Sequence, residues 1–185
     1  HPQVASQLKL EYGRWWRDIS VDFNKPNAFV INPTHQRIVK ISSQNLLGGR
    51  VAYSQHHVRN AMQLEGGWTW IEVETPGRYR ITVRRWPTEL DLAMSDVATV
   101  HAIDPTRHEE TNRLMNLPSV AIPVSRARLQ VGQFDQAAHV SRKDRAAEFV
   151  VDLNEGLQRI EATLITEDGR ATAAYYVDIE SESND

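Results

Sequence analysis

The stretch that decides the fold class reads Trp68-Thr69-Trp70-Ile71-Glu72-Val73-Glu74-Thr75-Pro76-Gly77-Arg78-Tyr79-Arg80-Ile81-Thr82-Val83-Arg84-Arg85-Trp86. Residues 68–74 and 79–86 alternate in polarity and are rich in aromatic and β-branched side chains, which is typical of β-strands. Between them stands Pro76-Gly77, a pair that favours turns. The sequence therefore predicts a β-hairpin that ends at Pro87, because proline cannot donate a ladder hydrogen bond.

Further strand signals extend from this hairpin in both directions. Upstream, residues 38–42 alternate in polarity before Gly48-Gly49 interrupts the pattern. Downstream, turn residues divide a series of apolar runs at 98–103, 120–131, 138–141, 149–153, 157–166 and 171–179. Many short strands at regular spacing are typical of a β-sandwich. We therefore predict a mostly β protein, an antiparallel, jelly-roll-like sandwich.

Two helices are predicted outside the strands. The first carries apolar residues at intervals of three and four and should end near residues 18–20: Val4, Leu8, Tyr12, Trp15, Trp16 and Ile19. Because this face of the helix is rich in aromatic residues, we expect it to pack against a large apolar surface. Asp104-Pro105 predicts the start of a short internal helix that continues to about Asn116. The predicted organisation is a connecting helix and linker (1–28), the sandwich (29–180) and a disordered acidic tail (181–185).

Composition narrows the classes of function. The chain has 185 residues, about one domain, and a net charge of −3, which provides no electrostatic attraction for nucleic acid or an anionic membrane. There is no cysteine, so disulfides, thiolate nucleophiles and cysteine-ligated zinc are excluded. No apolar run approaches the roughly 20 residues of a membrane span. Because the chain opens with His1 rather than Met, we expect either a processed or truncated piece of a longer protein or a start left by an expression tag.

Motifs for catalysis are absent from the sequence. It contains no Gly-x-Ser-x-Gly nucleophile turn and no glycine-rich phosphate loop. In a strand, His56 and His57 would point to opposite faces and could not share a metal. His101, Asp104 and His108 could converge, but a surface histidine beside a helix-capping aspartate is the favoured explanation.

The aromatic residues offer three interpretations. In a strand, Trp68 and Trp70 share the less apolar face with Glu72. They could stack on sugar rings with Tyr53, contact another domain, or pack in the core. Similarly, one of Arg84 and Arg85 must point away from the core. It could bind a sulfate or carboxylate, or it could stack on Trp86 or pair with an acid.

Four segments, in this order, resemble one protein family. They are Tyr12-Gly13-Arg14-Trp15-Trp16, Gln55-His56-His57-Val58, the stretch from Gly67 to Pro87 with its Arg84-Arg85-Trp86-Pro87, and the pair Ala127-Arg128-Leu129 and Ala174-Tyr175-Tyr176-Val177. Together they are similar to the C-terminal accessory part of bacterial arylsulfatase-like proteins (type I sulfatases). In place of two tryptophan-containing motifs of that group, this chain has Gln44-Asn45 and Tyr53-Ser54-Gln55.

The resemblance implies a non-catalytic role for this chain. Type I sulfatases carry their nucleophile in Cys/Ser-x-Pro-x-Arg, which becomes formylglycine, and bind calcium in an N-terminal domain. Neither a cysteine nor Ser-x-Pro-x-Arg occurs here. The expected partner is therefore a sulfatase catalytic domain outside this chain, which would hold the calcium and formylglycine. No cofactor is expected here, and the location implied is periplasmic or secreted.

Two functions follow as hypotheses. As an accessory domain, the chain would dock through Tyr12, Trp15 and Trp16. As a free-standing carbohydrate-binding module, it would present rings to a sulfated or unsulfated glycan. The candidate contacts with a glycan or with another domain are Trp68, Trp70, Tyr53, Gln55, Arg84 and Arg85.

Overall fold

The structure, a computed structural model, describes residues 1–63, 67–99, 104–115 and 117–182. Within these ranges, ten strands form two sheets: β1 (Ala28–Ile31), β2 (Ile38–Ser42), β3 (Trp68–Val73), β4 (Gly77–Arg84), β5 (Val124–Val131), β6 (Phe134–His139), β7 (Ala147–Leu153), β8 (Gly156–Thr166), β9 (Ala171–Ala173) and β10 (Tyr176–Ser181). The helices are α1 (Pro2–Ser20), α2 (Gln55–Arg59) and α3 (Glu109–Met115). The predicted fold class, a mostly β sandwich with an N-terminal helix, is confirmed.

The two sheets differ in size and in strand direction. The six-stranded sheet has the order β1-β3-β8-β5-β6, and β9 also pairs with β8. Its edge pair β1–β3 is parallel, and its other pairs are antiparallel. The four-stranded sheet, in the order β2-β10-β4-β7, is antiparallel throughout.

The predicted hairpin at residues 68–86 is wrong. β3 and β4 lie in different sheets, and residues 74–76 carry the chain from one sheet to the other. The hydroxyl of Tyr79 donates a hydrogen bond to the carbonyl of Thr75 and closes this corner. Alternating polarity predicts a strand with one buried face, but a hairpin and a corner between sheets bury such strands equally well.

A second predicted strand, at residues 171–179, also divides between the sheets. β9 pairs with β8 in the larger sheet, whereas β10 pairs with β2 and β4 in the smaller one. Ala174 and Tyr175 make the crossing and are completely buried. β10 continues through Ser181, and Glu182 accepts a hydrogen bond from Arg80, so this part of the predicted acidic tail is ordered. Residues 183–185 lie outside the described residues.

One hydrophobic core lies between the sheets. Ile71 and Val73 from the larger sheet and Tyr79, Ile81 and Val83 from the smaller sheet belong to the same buried cluster. Each strand contributes alternate residues, because successive side chains point to opposite faces. The remaining face of each sheet is therefore available for contacts outside the core.

The helices match the predictions in part. α1 ends at Ser20 as expected, and none of its 19 residues is buried. α3 lies within the predicted internal helix, whereas α2 was not predicted. The predicted strand at 98–103 falls largely outside the described residues. Among the described helices, none is both long and apolar enough to cross a membrane.

Candidate functional site

Arg85 follows directly after β4 and connects several segments of the main chain by hydrogen bonds. Its side chain is 0% exposed, so it cannot make the glycan or interdomain contact that was predicted for it. It donates hydrogen bonds to four main-chain carbonyls, those of Arg59, Met94, Asp96 and Val120. Its Cζ lies 4.3 Å from the ring centroid of Trp86, the stacking that the sequence offered as the alternative. Burial lowers the pKa of Arg85 to about 10, which leaves it protonated at neutral pH.

Trp86 and Pro87, which follow Arg85 in the chain, separate two cavities. Trp86, which is 3% exposed, and Pro87 line both of them. The larger cavity has a volume of about 540 Å³, within the range of small-molecule sites. Its other lining residues are Arg84, Thr88, Asp91, Leu92, Lys143, Asp144, Arg145, Ala146 and Glu148. The smaller cavity measures about 260 Å³ and is lined by Gln55, Val58, Arg59, Glu89, Leu90 and Tyr176.

Of the residues predicted to contact a glycan or another domain, Arg84 lines the larger cavity. It lies on the face of β4 opposite the core residue Val83, and its side chain is 20% exposed. Its Nε is 3.7 Å from Oδ2 of Asp178, and Thr88 Oγ1 donates to the same oxygen over 3.4 Å. Burial raises the pKa of Asp178, and the charge of Arg84 opposes that rise. The pair is thus half-buried and loosely bonded.

Of the predicted candidates Gln55 and Tyr53, only Gln55 is among the residues that line the smaller cavity. Gln55 begins α2 and is one of the lining residues. Tyr53 is exposed, and its ring centroid is 4.4 Å from that of His57. The structure therefore brings Gln55 and Arg84 to neighbouring cavities on either side of Trp86 and Pro87, whereas the sequence related them only by family resemblance.

Trp68 and Trp70 lie elsewhere, on the outer face of the six-stranded sheet. Both are half-buried, as their shared strand face predicted, and their ring centroids are 5.4 Å apart. The guanidinium Cζ of Arg159 lies 4.7 Å from the centroid of Trp68. A side chain at Gly48 would collide with the indole of Trp68. Trp68 is therefore a packed residue, and the structure does not join this pair to the two cavities.

Tyr12, Trp15 and Trp16 form a third group, on α1. They are 59%, 52% and 43% exposed. Their rings contact one another, and Trp16 packs edge-on against Phe23 with centroids 5.2 Å apart. This aromatic stripe of α1 is consequently held together by its own rings.

The histidines do not form a metal centre among the described residues. His56 and His57 lie on the helix α2, so the predicted strand geometry is wrong; His56 contacts Asn60 and His57 contacts Tyr53. Asp104 accepts hydrogen bonds from Thr106, and His108 accepts one from the main-chain N–H of Glu110. His101 lies outside the described residues. Within the described part, no group of three or more His, Cys, Asp or Glu could hold a metal ion.

Several residues that line the larger cavity were not predicted from the sequence. Lys143, Asp144 and Arg145 are about sixty positions from Arg84 in the chain. They become its neighbours because β4 pairs with β7, in which Ala147 is opposite Val83. No local motif marks this proximity, and only the pairing of two strands that the sequence left unassigned could have indicated it.

Comparisons with known proteins leave the family unassigned. No protein-family model matches the sequence, and no curated protein matches it. Among solved structures, the chain is similar to a ruminal GH26 endo-β-1,4-mannanase, with 13% identity and a TM-score of 0.39. The match covers 80% of this chain and 26% of that enzyme. A likeness this distant carries no information on function.

Proposed function

We propose that this chain is the non-catalytic β-sandwich domain of a sulfatase-like sulfuric ester hydrolase and packs on a catalytic domain that the chain does not contain. The sequence resemblance supports this proposal, chiefly through Tyr12-Gly13-Arg14-Trp15-Trp16 and Arg84-Arg85-Trp86-Pro87. Under it, calcium and formylglycine belong to the catalytic domain, this chain needs no cofactor, and the protein is periplasmic or secreted.

The observation that carries the proposal is the exposed aromatic stripe of α1. Exposed clusters of large apolar side chains mark interaction surfaces in soluble proteins. Tyr12, Trp15, Trp16 and Phe23 form such a cluster, and no residue of α1 is buried. A helix in water gains most of its stability from the packing of its apolar face. A catalytic domain that covers the stripe would supply that packing.

The gene provides the first test. Sequencing around the coding region should reveal, in the same reading frame upstream, a domain with Cys/Ser-x-Pro-x-Arg and the carboxylates of a calcium site. A gene that encodes no such domain upstream would contradict the sulfatase assignment.

The docking surface has its own test. The upstream catalytic domain, produced separately, should bind this chain in a titration followed by calorimetry. A Trp15→Ser/Trp16→Ser variant should weaken binding at least about tenfold, since large aromatic side chains dominate interface energies. Leu10→Ser is the matched control, because Leu10 is also apolar and exposed but lies on the opposite side of α1. Equal effects of the two variants would refute docking through the stripe.

A second candidate function is carbohydrate binding by the outer face of the six-stranded sheet. Trp68 and Trp70 are partly exposed there, and Arg159, bonded to Glu161 over 2.7 Å, lies over Trp68. Aromatic rings flanked by charged side chains can stack on a sugar ring and bond its hydroxyl groups. Glycan recognition would require no partner domain.

A glycan array of sulfated and unsulfated polysaccharides separates the two candidates. If the sheet face binds glycans, Trp70→Ala should abolish the signal while Trp15→Ser/Trp16→Ser leaves it intact. We choose Trp70 because removal of Trp68 would also disturb its packing on Gly48. An absence of binding to every polysaccharide would exclude the carbohydrate-binding function and leave the accessory role.

A further inference from the structure

The smaller cavity lies where α2, the segment that follows β4, and β10 meet. Apolar and aromatic side chains make up most of its lining, namely Val58, Trp86, Pro87, Leu90 and Tyr176. From the polar groups that accompany this apolar wall, we infer that the cavity binds one neutral sugar ring. The inference depends neither on the proposed accessory role nor on the outer face of the six-stranded sheet.

Two polar groups of the lining are open to a ligand. Among the described residues, neither the side-chain amide of Gln55 nor the hydroxyl of Tyr176 has a hydrogen-bond partner. Gln55 is exposed, and Tyr176 is half-buried with its hydroxyl accessible to solvent. Burial and the nearby charge of Glu89 raise the pKa of Tyr176, so this hydroxyl keeps its proton at neutral pH. The cavity therefore offers an amide and a hydroxyl that a ligand can reach.

The charged groups of the lining are one cation and one carboxylate. Arg59 is buried, and its Nη1 donates a hydrogen bond to the carbonyl of Leu117 over 3.0 Å. Glu89 is exposed, and its ion pair with Lys40 spans 3.4 Å, so it can still accept hydrogen bonds from a ligand. Arg59 opposes a cationic ligand and Glu89 opposes an anionic one. Hydroxyl groups suit both, because each of them donates and accepts.

A sugar ring fits this lining better than an apolar side chain of another protein. An apolar group would cover the wall, but it would strip water from Gln55 and Tyr176 without replacing those hydrogen bonds, which is costly. A sugar ring has C–H groups for the wall and hydroxyl groups for the polar side chains. At about 260 Å³, the cavity is slightly smaller than the usual site for a drug-sized ligand, so its size suits one ring rather than a chain of rings.

Hydrogen bonds position the lining before a ligand arrives. Arg85 donates to the carbonyl of Arg59 at the end of α2 over 3.3 Å. Thr88–Leu90 form one turn of 3-10 helix, in which the main-chain N–H of Leu90 donates to the carbonyl of Pro87. Tyr176 belongs to β10, which is paired on both sides. Preorganisation of this kind reduces the cost of binding.

The test is a titration of the whole chain, followed by the NMR signals of the glutamine side-chain amides and the tyrosine rings. The ligands are the methyl β-glycosides of glucose, galactose and mannose, the uronate that corresponds to each, and cyclohexylmethanol. At least one glycoside should give a saturable shift of the Gln55 and Tyr176 signals. Its uronate should bind at least about fivefold more weakly, because a carboxylate loses hydration beside Glu89 and the apolar wall.

Cyclohexylmethanol should also bind at least about fivefold more weakly, because it lacks the ring hydroxyl groups. Equal or tighter binding of the uronate or of cyclohexylmethanol would overturn the inference. So would the absence of a saturable shift with all three glycosides.

Four variants locate the site. Tyr176→Phe and Gln55→Leu should each weaken binding of the glycoside about fivefold, because each removes a hydrogen-bonding group and keeps most of the side chain. Tyr53→Phe is the matched control, since it removes the same hydroxyl from an exposed tyrosine that does not line this cavity. Equal binding by Tyr176→Phe and Tyr53→Phe would refute a site in the cavity. Trp70→Ala should leave binding unchanged, and a loss in that variant would assign the sugar to the sheet face instead.

Discussion

The helix α1 and the segment that follows β4 contain the same kinds of residue in opposite environments. Trp15 and Trp16 are about half exposed on α1, whereas Trp86 is almost completely buried and packed against Arg85. Arg14 and Arg17 on α1 face solvent, but Arg85 is fully buried and bonded to four carbonyls. The comparison shows that aromatic content alone does not indicate whether a segment holds the fold together or presents a surface.

Among the substitutions that test this comparison, Arg85→Met should cause the largest loss in the free energy of unfolding. It removes the donors of four main-chain carbonyls, and loss of one partner of a buried charged hydrogen-bond network costs about 3–5 kcal/mol. Urea denaturation should show this drop in the free energy of unfolding. Arg78→Met is the control, since Arg78 is exposed and pairs only with Glu182 among the described residues. A loss below about 1 kcal/mol for Arg85→Met would contradict the anchoring role.

Gly67→Ala should have the next largest effect and lower the free energy of unfolding by about 2–4 kcal/mol. Gly67 has a φ of +92°, and an added Cβ would overlap the Cβ of the buried Ala173. Gly156→Ala provides the matched control, because its φ is +105° but no atom lies within 4 Å of the added Cβ. Backbone strain alone should cost Gly156→Ala about 1–2 kcal/mol. Equal thermal destabilisation of the two variants would show that the sheet relaxes around Gly67.

Asp178 should make a smaller, pH-dependent contribution. Burial raises its pKa above the ordinary value of 3.8, so the folded state disfavours the charged carboxylate. Its contribution to stability is therefore most favourable below pH 3.8 and becomes less favourable as the pH rises through the raised pKa.

Asp178→Asn removes that dependence. The stability of the variant minus that of the wild type should increase from acid to neutral pH, measured by urea denaturation at each pH. The opposite slope would mean that attraction to Arg84, 3.7 Å away, outweighs burial.

Trp15→Ser/Trp16→Ser should have the smallest effect on the isolated chain. Both side chains are exposed, and the ring contacts they make among the described residues are with aromatic neighbours on or next to α1. The expected change in the free energy of unfolding is within about 0.5 kcal/mol. A loss above about 2 kcal/mol would show that α1 packs on the sandwich in solution and would remove the contrast between the two regions.

The strands were largely predictable, but their partners were not. Alternating polarity located β2, β3 and β4 because one face of each strand is buried. The same alternation could not distinguish a hairpin from a corner, and Pro76-Gly77 suits either connection. The parallel pairing of β1 with β3 depends on contacts between residues about forty positions apart, which local patterns do not encode.

The candidate site was predictable to a lesser degree. The sequence indicated that one of Arg84 and Arg85 faces outward, and the structure identifies Arg84 as that residue. It also indicated that Trp68 and Trp70 share the less apolar face of their strand. It did not reveal the cavity, since Lys143 and Arg145 reach Arg84 only through the pairing of β4 with β7.

The sequence by itself determined the elements: a helix with an aromatic stripe, strands with one apolar face, and a chain without cysteine. These properties are local, because side-chain periodicity and backbone preference act over a few residues. Tertiary structure alone decided that β3 and β4 belong to different sheets, that Arg85 is buried, and that Arg84 lines a cavity. The physical reason is that the sheets are joined by the burial of apolar faces, which is non-directional, so the partner of each strand emerges only when the whole core is packed.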